Sequence, residues 1–360
     1  MRLSLQAKLG KLVLISLVFV LILPVVIKHI TMYQQLTISG AYIREDNRAF
    51  NRFLESIKKD NGVLVIGTSE TGNPLDGNNF WHFLNKDKRI EPFFSVLGGA
   101  GRCSYIWFPT FIANKDAFSG LTILYFLNPT YWRSGLNEFH EKYYHRYNSP
   151  TLVRKIHSRV NEYNIKEFVD PYLERCTSEG KVDKLKGYLS LRYNGFRSFF
   201  SYDLRNIFSN GRMIKSRDYD DCLKNEIELL LSGLNLDYNV SEEYFAKNKN
   251  SDIPSVDKSS DFQYQALESF INLTKSIEIK LVVFVGPYNG ILAQKNSPSV
   301  IPDYEKLLMK IKNLLETLQV PYIDGSDLSF EPGVFKDSQH HSEYGGWRIE
   351  EKIVANQDLF

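Results

Sequence analysis

The sequence predicts an α/β fold, a parallel sheet with helices on both faces, carried behind a single N-terminal membrane-spanning helix. Three observations predict it: five short apolar runs, amphipathic helical stretches between them, and an uncharged apolar segment at the amino end. Taken in order, residues 12–27 are mostly Leu, Val and Ile and carry no charge. As a helix they span about 24 Å at about 1.5 Å per residue. After Lys28 no charge follows until Arg44, so the span extends through 29–32 while Lys28 snorkels to the interface. Tyr33 then stands where an interfacial aromatic belongs. Arg2, Lys8 and Lys11 precede the run, which places residues 1–11 in the cytoplasm and residues 33–360 outside. The stretch 25–29 holds no small residues for a signal-peptide cleavage site, so the segment reads as an uncleaved anchor over 12–32.

Beyond the anchor, apolar runs at 63–66, 93–97, 121–127, 281–285 and 320–323 read as buried strands. Helical periodicity over 42–59, 261–277 and 304–318 leads into the first, fourth and fifth of them. Such alternation predicts a parallel sheet covered on both faces. Residues 135–254 break the rhythm with interleaved Tyr, Asn, Arg and Lys, and read as a helical insertion over one end of the sheet.

Composition narrows the function classes. A net charge of +2 offers no basic stripe for nucleic acid. Cys103, Cys176 and Cys222 are widely spaced and form no CxxC, so neither a zinc site nor a disulfide framework is indicated; a Cys176–Cys222 pair stays open. His140-Glu141 is followed by His145 at the wrong spacing for HExxH, so no metal is expected. The glycines at 98–101 lack the full GxGxxG pattern of the rival dinucleotide loop, so no soluble cofactor is expected.

Chemistry is expected beyond the carboxyl ends of parallel strands. The first strand runs into Gly67-Thr68-Ser69-Glu70, where Ser69 reads either as a helix cap or as an exposed nucleophile. The second ends Gly98-Gly99-Ala100-Gly101, a turn or a backbone oxyanion donor at Gly101. The third ends Asn128-Pro129, where the amide serves a turn or the same oxyanion. Near the C-terminus, Asp337-Ser338-Gln339-His340 places an acid three residues before an imidazole. In that arrangement His340 takes a proton from Ser69 and Asp337 fixes the tautomer. The adjacent His340 and His341 also admit a metal reading or a structural one.

Together these blocks resemble the SGNH hydrolase superfamily, whose flavodoxin-like sheet carries acyl transfer or ester hydrolysis. More narrowly, the chain resembles the DltD family, which takes part in D-alanylation of teichoic acids. The features are the anchor, the Gly-x-Ser-Glu turn at 67–70, and Asn128-Pro129-Thr130-Tyr131-Trp132. They continue with Val285-Gly286-Pro287-Tyr288-Asn289 and an Asp-x-x-His run closing on Gly345-Gly346-Trp347. Two blocks depart from the superfamily: Gly-Thr-Ser stands for Gly-Asp-Ser, and Asn128 precedes proline.

The resemblance implies a Ser69, Asp337, His340 triad with Gly101 and Asn128 at the oxyanion. It implies a membrane-bound O-acyltransferase as partner, fed by an acyl carrier protein, and a surface polymer as acceptor. It also implies location at a bacterial cell membrane. The alternatives are an O-acetyltransferase or esterase acting on surface polysaccharide, and a non-catalytic membrane-tethered assembly subunit.

Overall fold

A computed structural model of the 360-residue chain describes residues 48–71, 89–98, 101–132, 156–169 and 260–360, with isolated positions between 10 and 18, at 84, 144, 148 and 152, and between 253 and 256. Five strands form one sheet: β1 (Val63–Gly67), β2 (Phe94–Val96), β3 (Thr122–Leu127), β4 (Lys280–Val285) and β5 (Tyr322–Asp324). All neighbours are parallel and the spatial order is β2-β1-β3-β4-β5. The expected α/β class and parallel pairing are therefore present.

Period-two alternation divides the strand side chains between two cores. Leu64, Ile66, Ile123, Tyr125, Leu127, Leu281, Val283 and Val285 face the larger one. It is completed by α1 (Arg48–Lys59) through Phe50, Leu54 and Ile57, and by α2 (Phe108–Ala113) through Phe111. After the short α3 (Lys115–Phe118) and β3, α4 (Ser260–Ser276) adds Phe270, and α6 (Ile301–Thr317), which follows α5 (Gly290–Asn296), adds Leu308 and Ile311. The alternate residues Val63, Val65, Leu124, Phe126, Val282 and Phe284 face the smaller core, closed by Ile349 and Ile353 of α7 (Glu343–Val354). Both faces are covered, which explains why the strands read as unbroken apolar runs. Each such side chain contributes roughly 1.5–3 kcal/mol on burial.

Boundaries shift where backbone hydrogen bonding decides. The fifth strand was expected at 320–323 but begins at Tyr322. Val320 N–H instead donates to the Leu315 carbonyl at 2.8 Å, closing the end of α6. The same closure ends α1, where Gly62 N–H reaches the Ile57 carbonyl, and α4, where Ile279 N–H reaches that of Thr274. In all three the preceding residue, Asn61, Glu278 or Gln319, takes a left-handed backbone with φ of 49°, 62° or 54°. This is the Schellman arrangement, with a non-glycine residue at its left-handed position. The first expected helix, 42–59, is seen from Arg48; its earlier residues lie outside the described ones.

The expected anchor over 12–32 and insertion over 135–254 fall almost wholly outside the described residues. Among the described residues no helix is long and apolar enough to cross a membrane. The described positions near the amino end are helical, and Val13, Leu17 and Val18 are exposed. Within the insertion, Tyr144, Ile156, Val160, Ile165 and Phe168 are buried in the larger core, and the Asn148 amide donates to the Ile106 carbonyl at 3.0 Å. The open Cys176–Cys222 pairing lies outside the described residues, while Cys103 is a buried free thiol pushed up to about 12 by burial first and by the nearby Glu70 charge second.

Candidate active site

The strand order reverses direction between β1 and β3, and in open parallel sheets such a reversal opens a crevice at the carboxyl ends. The turns after β1, β3, β4 and β5 meet there. After β1 the chain enters a single 3-10 turn, Ser69–Thr71. Thr71 N–H and hydroxyl both donate to the Thr68 carbonyl, at 3.1 and 2.9 Å. Thr68, Glu70 and Thr71 are buried, and only Ser69 in this turn remains partly open. Three pinned neighbours thus leave one hydroxyl presented at the sheet edge.

The second half of the site comes from the segment between β5 and α7. Phe335 and His341 form an antiparallel bridge, and Lys336 N–H donates to the His340 carbonyl at 3.0 Å, closing a tight loop. Inside it the Asp337 carboxylate accepts the backbone N–H of Gln339 at 2.8 Å and of His340 at 2.7 Å. The same carboxylate lies 2.9 and 3.1 Å from His340 Nδ1. On the far side of the ring, Nε2 lies 2.8 Å from Ser69 Oγ. Ser69, His340 and Asp337 are therefore brought together in one hydrogen-bonded line, although Ser69 and His340 stand 271 positions apart.

Electrostatics fit that line. The hydrogen bond from Asp337 raises the His340 pKa, burial opposes it, and the charges of Asp337 and Glu70 add to the rise. Burial works to raise Asp337, but the hydrogen bonds from the His340 ring and from two backbone N–H groups hold it below the ordinary carboxylate range. Asn289, in the turn between β4 and α5, anchors the loop: its Nδ2 donates to the Asp337 carbonyl at 3.0 Å while its Oδ1 accepts Leu292 N–H and caps α5.

Asn128 is built into a different network. Its Oδ1 accepts the Thr130 N–H at 2.9 Å and the Thr130 hydroxyl at 2.6 Å, and its Nδ2 donates to Glu70. Glu70 is fully buried, also accepts the Thr68 hydroxyl, and has its pKa raised chiefly by that burial. Thr68, Glu70, Asn128 and Thr130 thus clamp the turn after β1 to the turn after β3. Gly101 has a φ of 66°, a conformation that glycine adopts without strain, and its carbonyl accepts Cys103 N–H at 3.0 Å. Its loop approaches the serine turn through Gly98, where any Cβ would stand 1.9 Å from Thr71 Oγ1.

His341 parts from its neighbour. Its ring packs against Phe126 at 5.6 Å and Phe335 at 5.1 Å, inside the smaller core. Burial pushes its pKa down to about 3, so it is a neutral core histidine rather than a partner of His340 in a ligand pair. Among the described residues no cluster of three or more His, Cys, Asp or Glu is placed to hold a metal.

Sequence reasoning assigned no role to Tyr131, whose phenol oxygen lies 2.6 Å from Ser69 Oγ, nor to Glu70 or Asn289. The signal available for all three was that each lies three or four residues beyond a strand end, inside a block that carries the resemblance. Compared with protein-family models and with curated proteins, the chain matches none.

Proposed function

We propose that the chain is a membrane-anchored serine acyltransferase of the flavodoxin-like SGNH type, with its catalytic domain outside the cytoplasm. It moves a D-alanyl group onto hydroxyls of a cell-surface polymer such as teichoic acid. The observation that carries the reading is the line Asp337–His340–Ser69, with spacings of 2.9 and 2.8 Å, set in the crevice at the strand-order reversal. A neutral imidazole whose other nitrogen faces a carboxylate has one task that uses both contacts. It draws the proton from Ser69 and remains stabilised as imidazolium.

The acyl group and the polymer are supported by the resemblance to the DltD family in the turns at 67–70, 128–132 and 337–347. The same resemblance supports a multi-span O-acyltransferase partner served by an acyl carrier protein. The apolar, uncharged segment 12–27 and the basic residues before it support the anchor and its orientation.

In the reaction Ser69 Oγ attacks the acyl carbonyl as its proton passes to His340 Nε2. The leaving group departs with that proton, and a polymer hydroxyl repeats the sequence on the acyl-enzyme. Reaction of the full-length protein with a fluorophosphonate, followed by peptide mass spectrometry, tests the nucleophile. The adduct is expected on Ser69, absent in Ser69→Ala and strongly reduced in His340→Ala; labelling that persists in Ser69→Ala rules Ser69 out. Ester-linked acyl groups on surface polymers, measured by mass spectrometry, should fall in cells carrying Ser69→Ala. Unchanged polymers would remove the acceptor assignment.

A further inference from the structure

The hydrogen bonds around Ser69 fix the direction of a third one. His340 Nδ1 faces a carboxylate that already accepts two backbone N–H groups, so Nδ1 carries the ring proton and Nε2 carries the lone pair. Ser69 has one hydroxyl hydrogen and must give it to Nε2, 2.8 Å away. The Tyr131 phenol, 2.6 Å from the same Oγ, is then the donor to Ser69 and not the acceptor. The resting site is a single directed relay, Tyr131 to Ser69 to His340 to Asp337.

We propose that Tyr131 is a catalytic residue of the acyl transfer described above, donating its phenolic hydrogen bond to the oxyanion as the tetrahedral intermediate forms. The inference rests on that reading of the site. When Oγ bonds to the acyl carbon, its lone pair becomes part of that bond and its value as an acceptor falls. The carbonyl π pair moves onto the carbonyl oxygen, one carbon away from Oγ. A donor already at hydrogen-bond distance from Oγ reaches that oxygen by a small swing. The bond it then makes is charge-assisted and roughly twice as strong as the neutral one it leaves, which is the differential binding that accelerates a step. Tyr131 keeps its proton throughout. Collapse restores the carbonyl and expels the leaving group, which takes the proton held on His340 Nε2.

Two observations single out Tyr131 for this task. The Asn128 carboxamide, the side chain expected there from sequence, gives one Nδ2 hydrogen to Glu70 and its Oδ1 to Thr130, which fixes its orientation and leaves it one N–H. Those contacts also cap the turn Pro129–Tyr131 that carries the phenol. Asn128 and Glu70 accordingly act as positioning residues that hold the Tyr131 turn beside the Ser69 turn. Tyr131 itself is buried, so its donor meets the developing charge with little competition from water.

The test is single-turnover acylation of the full-length protein by p-nitrophenyl acetate, following nitrophenol release and the acetyl adduct on Ser69. Tyr131→Phe is expected to lower the acylation rate by about 10²–10³-fold, the loss typical of one oxyanion donor, with the thermal unfolding midpoint unchanged. Replacement of Tyr131 by ring-fluorinated tyrosines separates chemistry from packing and serves also if Tyr131→Phe does not fold. A stronger phenol donor is expected to accelerate acylation, whereas a merely structural ring leaves it flat. Wild-type acylation with an unchanged rate in Tyr131→Phe, or a flat fluorotyrosine series, overturns the role of Tyr131 and leaves the serine mechanism standing. Absence of any acetyl adduct on wild-type Ser69 overturns the acyl-transfer reading and this inference with it.

Discussion

His340 and His341 are chain neighbours with opposite responses to acid. The Asp337 hydrogen bond raises His340 above 6.5, so its imidazole accepts a proton more readily in the fold than in the unfolded chain. Protonated His340 therefore stabilises the fold below the unfolded value, and that contribution fades as pH rises through the folded one. The proposed catalysis runs the other way, because its base must be neutral. Acylation of Ser69 should fall on acidification with a midpoint above 6.5. Asp337→Asn should lower both the rate and that midpoint, while leaving more activity than Ser69→Ala. A pH series of single-turnover rates on the two proteins checks this, and an unshifted midpoint in Asp337→Asn would detach the acid from the base.

For His341, burial first and the His340 charge second depress the pKa to about 3. Between that value and 6.5 the unfolded chain binds a proton that the fold refuses, so stability falls as pH falls, by up to about 1.4 kcal/mol per unit. His341→Phe, set among Phe126 and Phe335, should flatten that decline in denaturant titrations at pH 7 and pH 5. An equal loss in variant and wild type would show that other groups carry the acid sensitivity. The hydrogen-bonded line of Ser69, His340 and Asp337 was legible at this scale because an acid three residues before a histidine and a serine at a strand end are uncommon company. Tyr131 was not: the chain holds 21 tyrosines, and a phenol becomes distinctive only by where its oxygen lies.

The helices α1, α4 and α6 all enter the sheet through the same closing turn. Each places a side chain at a left-handed position where non-glycine residues cost roughly 1–2 kcal/mol. Gln319 is exposed, and its backbone N–H already meets the Glu316 carbonyl at 3.0 Å. Gln319→Gly should stabilise the fold by about 1 kcal/mol or less, since the relief of strain is partly offset by a freer unfolded chain. Denaturant titration checks the sign, and a destabilised variant would mean that the chain holds this turn without strain. The turn also explains how far the elements were readable. Helix centres and strand centres followed from apolar periodicity, while the start of β5 did not, because Val320 looks like a strand residue and spends its N–H closing α6. Glu278 and Gln319 carry no sequence mark of a left-handed backbone, which glycine would have supplied.

At the scale of the molecule, the parallel sheet and its two covered faces were readable from five apolar runs separated by helical stretches. The strand order was not, because periodicity reports which face a residue takes and says nothing about which strand lies beside it. That order decides the site, since it sets the turns after β1 and β3 side by side with the loop after β5 within reach. Ser69 comes from the first described strand and His340 from the segment after the last, with 271 positions between them. Joining such distant points carries a loop-closure cost that grows only slowly with separation. The contact itself, however, exists only after every strand between has docked, and pairing of that range is slow to form. Under the proposed function, a reactive Ser69 is therefore a certificate of completed assembly. A chain still folding, cut short before the closing loop, or caught with one strand misplaced keeps its serine but has no base to awaken it. On the proposed reading, connectivity alone keeps unfinished copies from stray acylation.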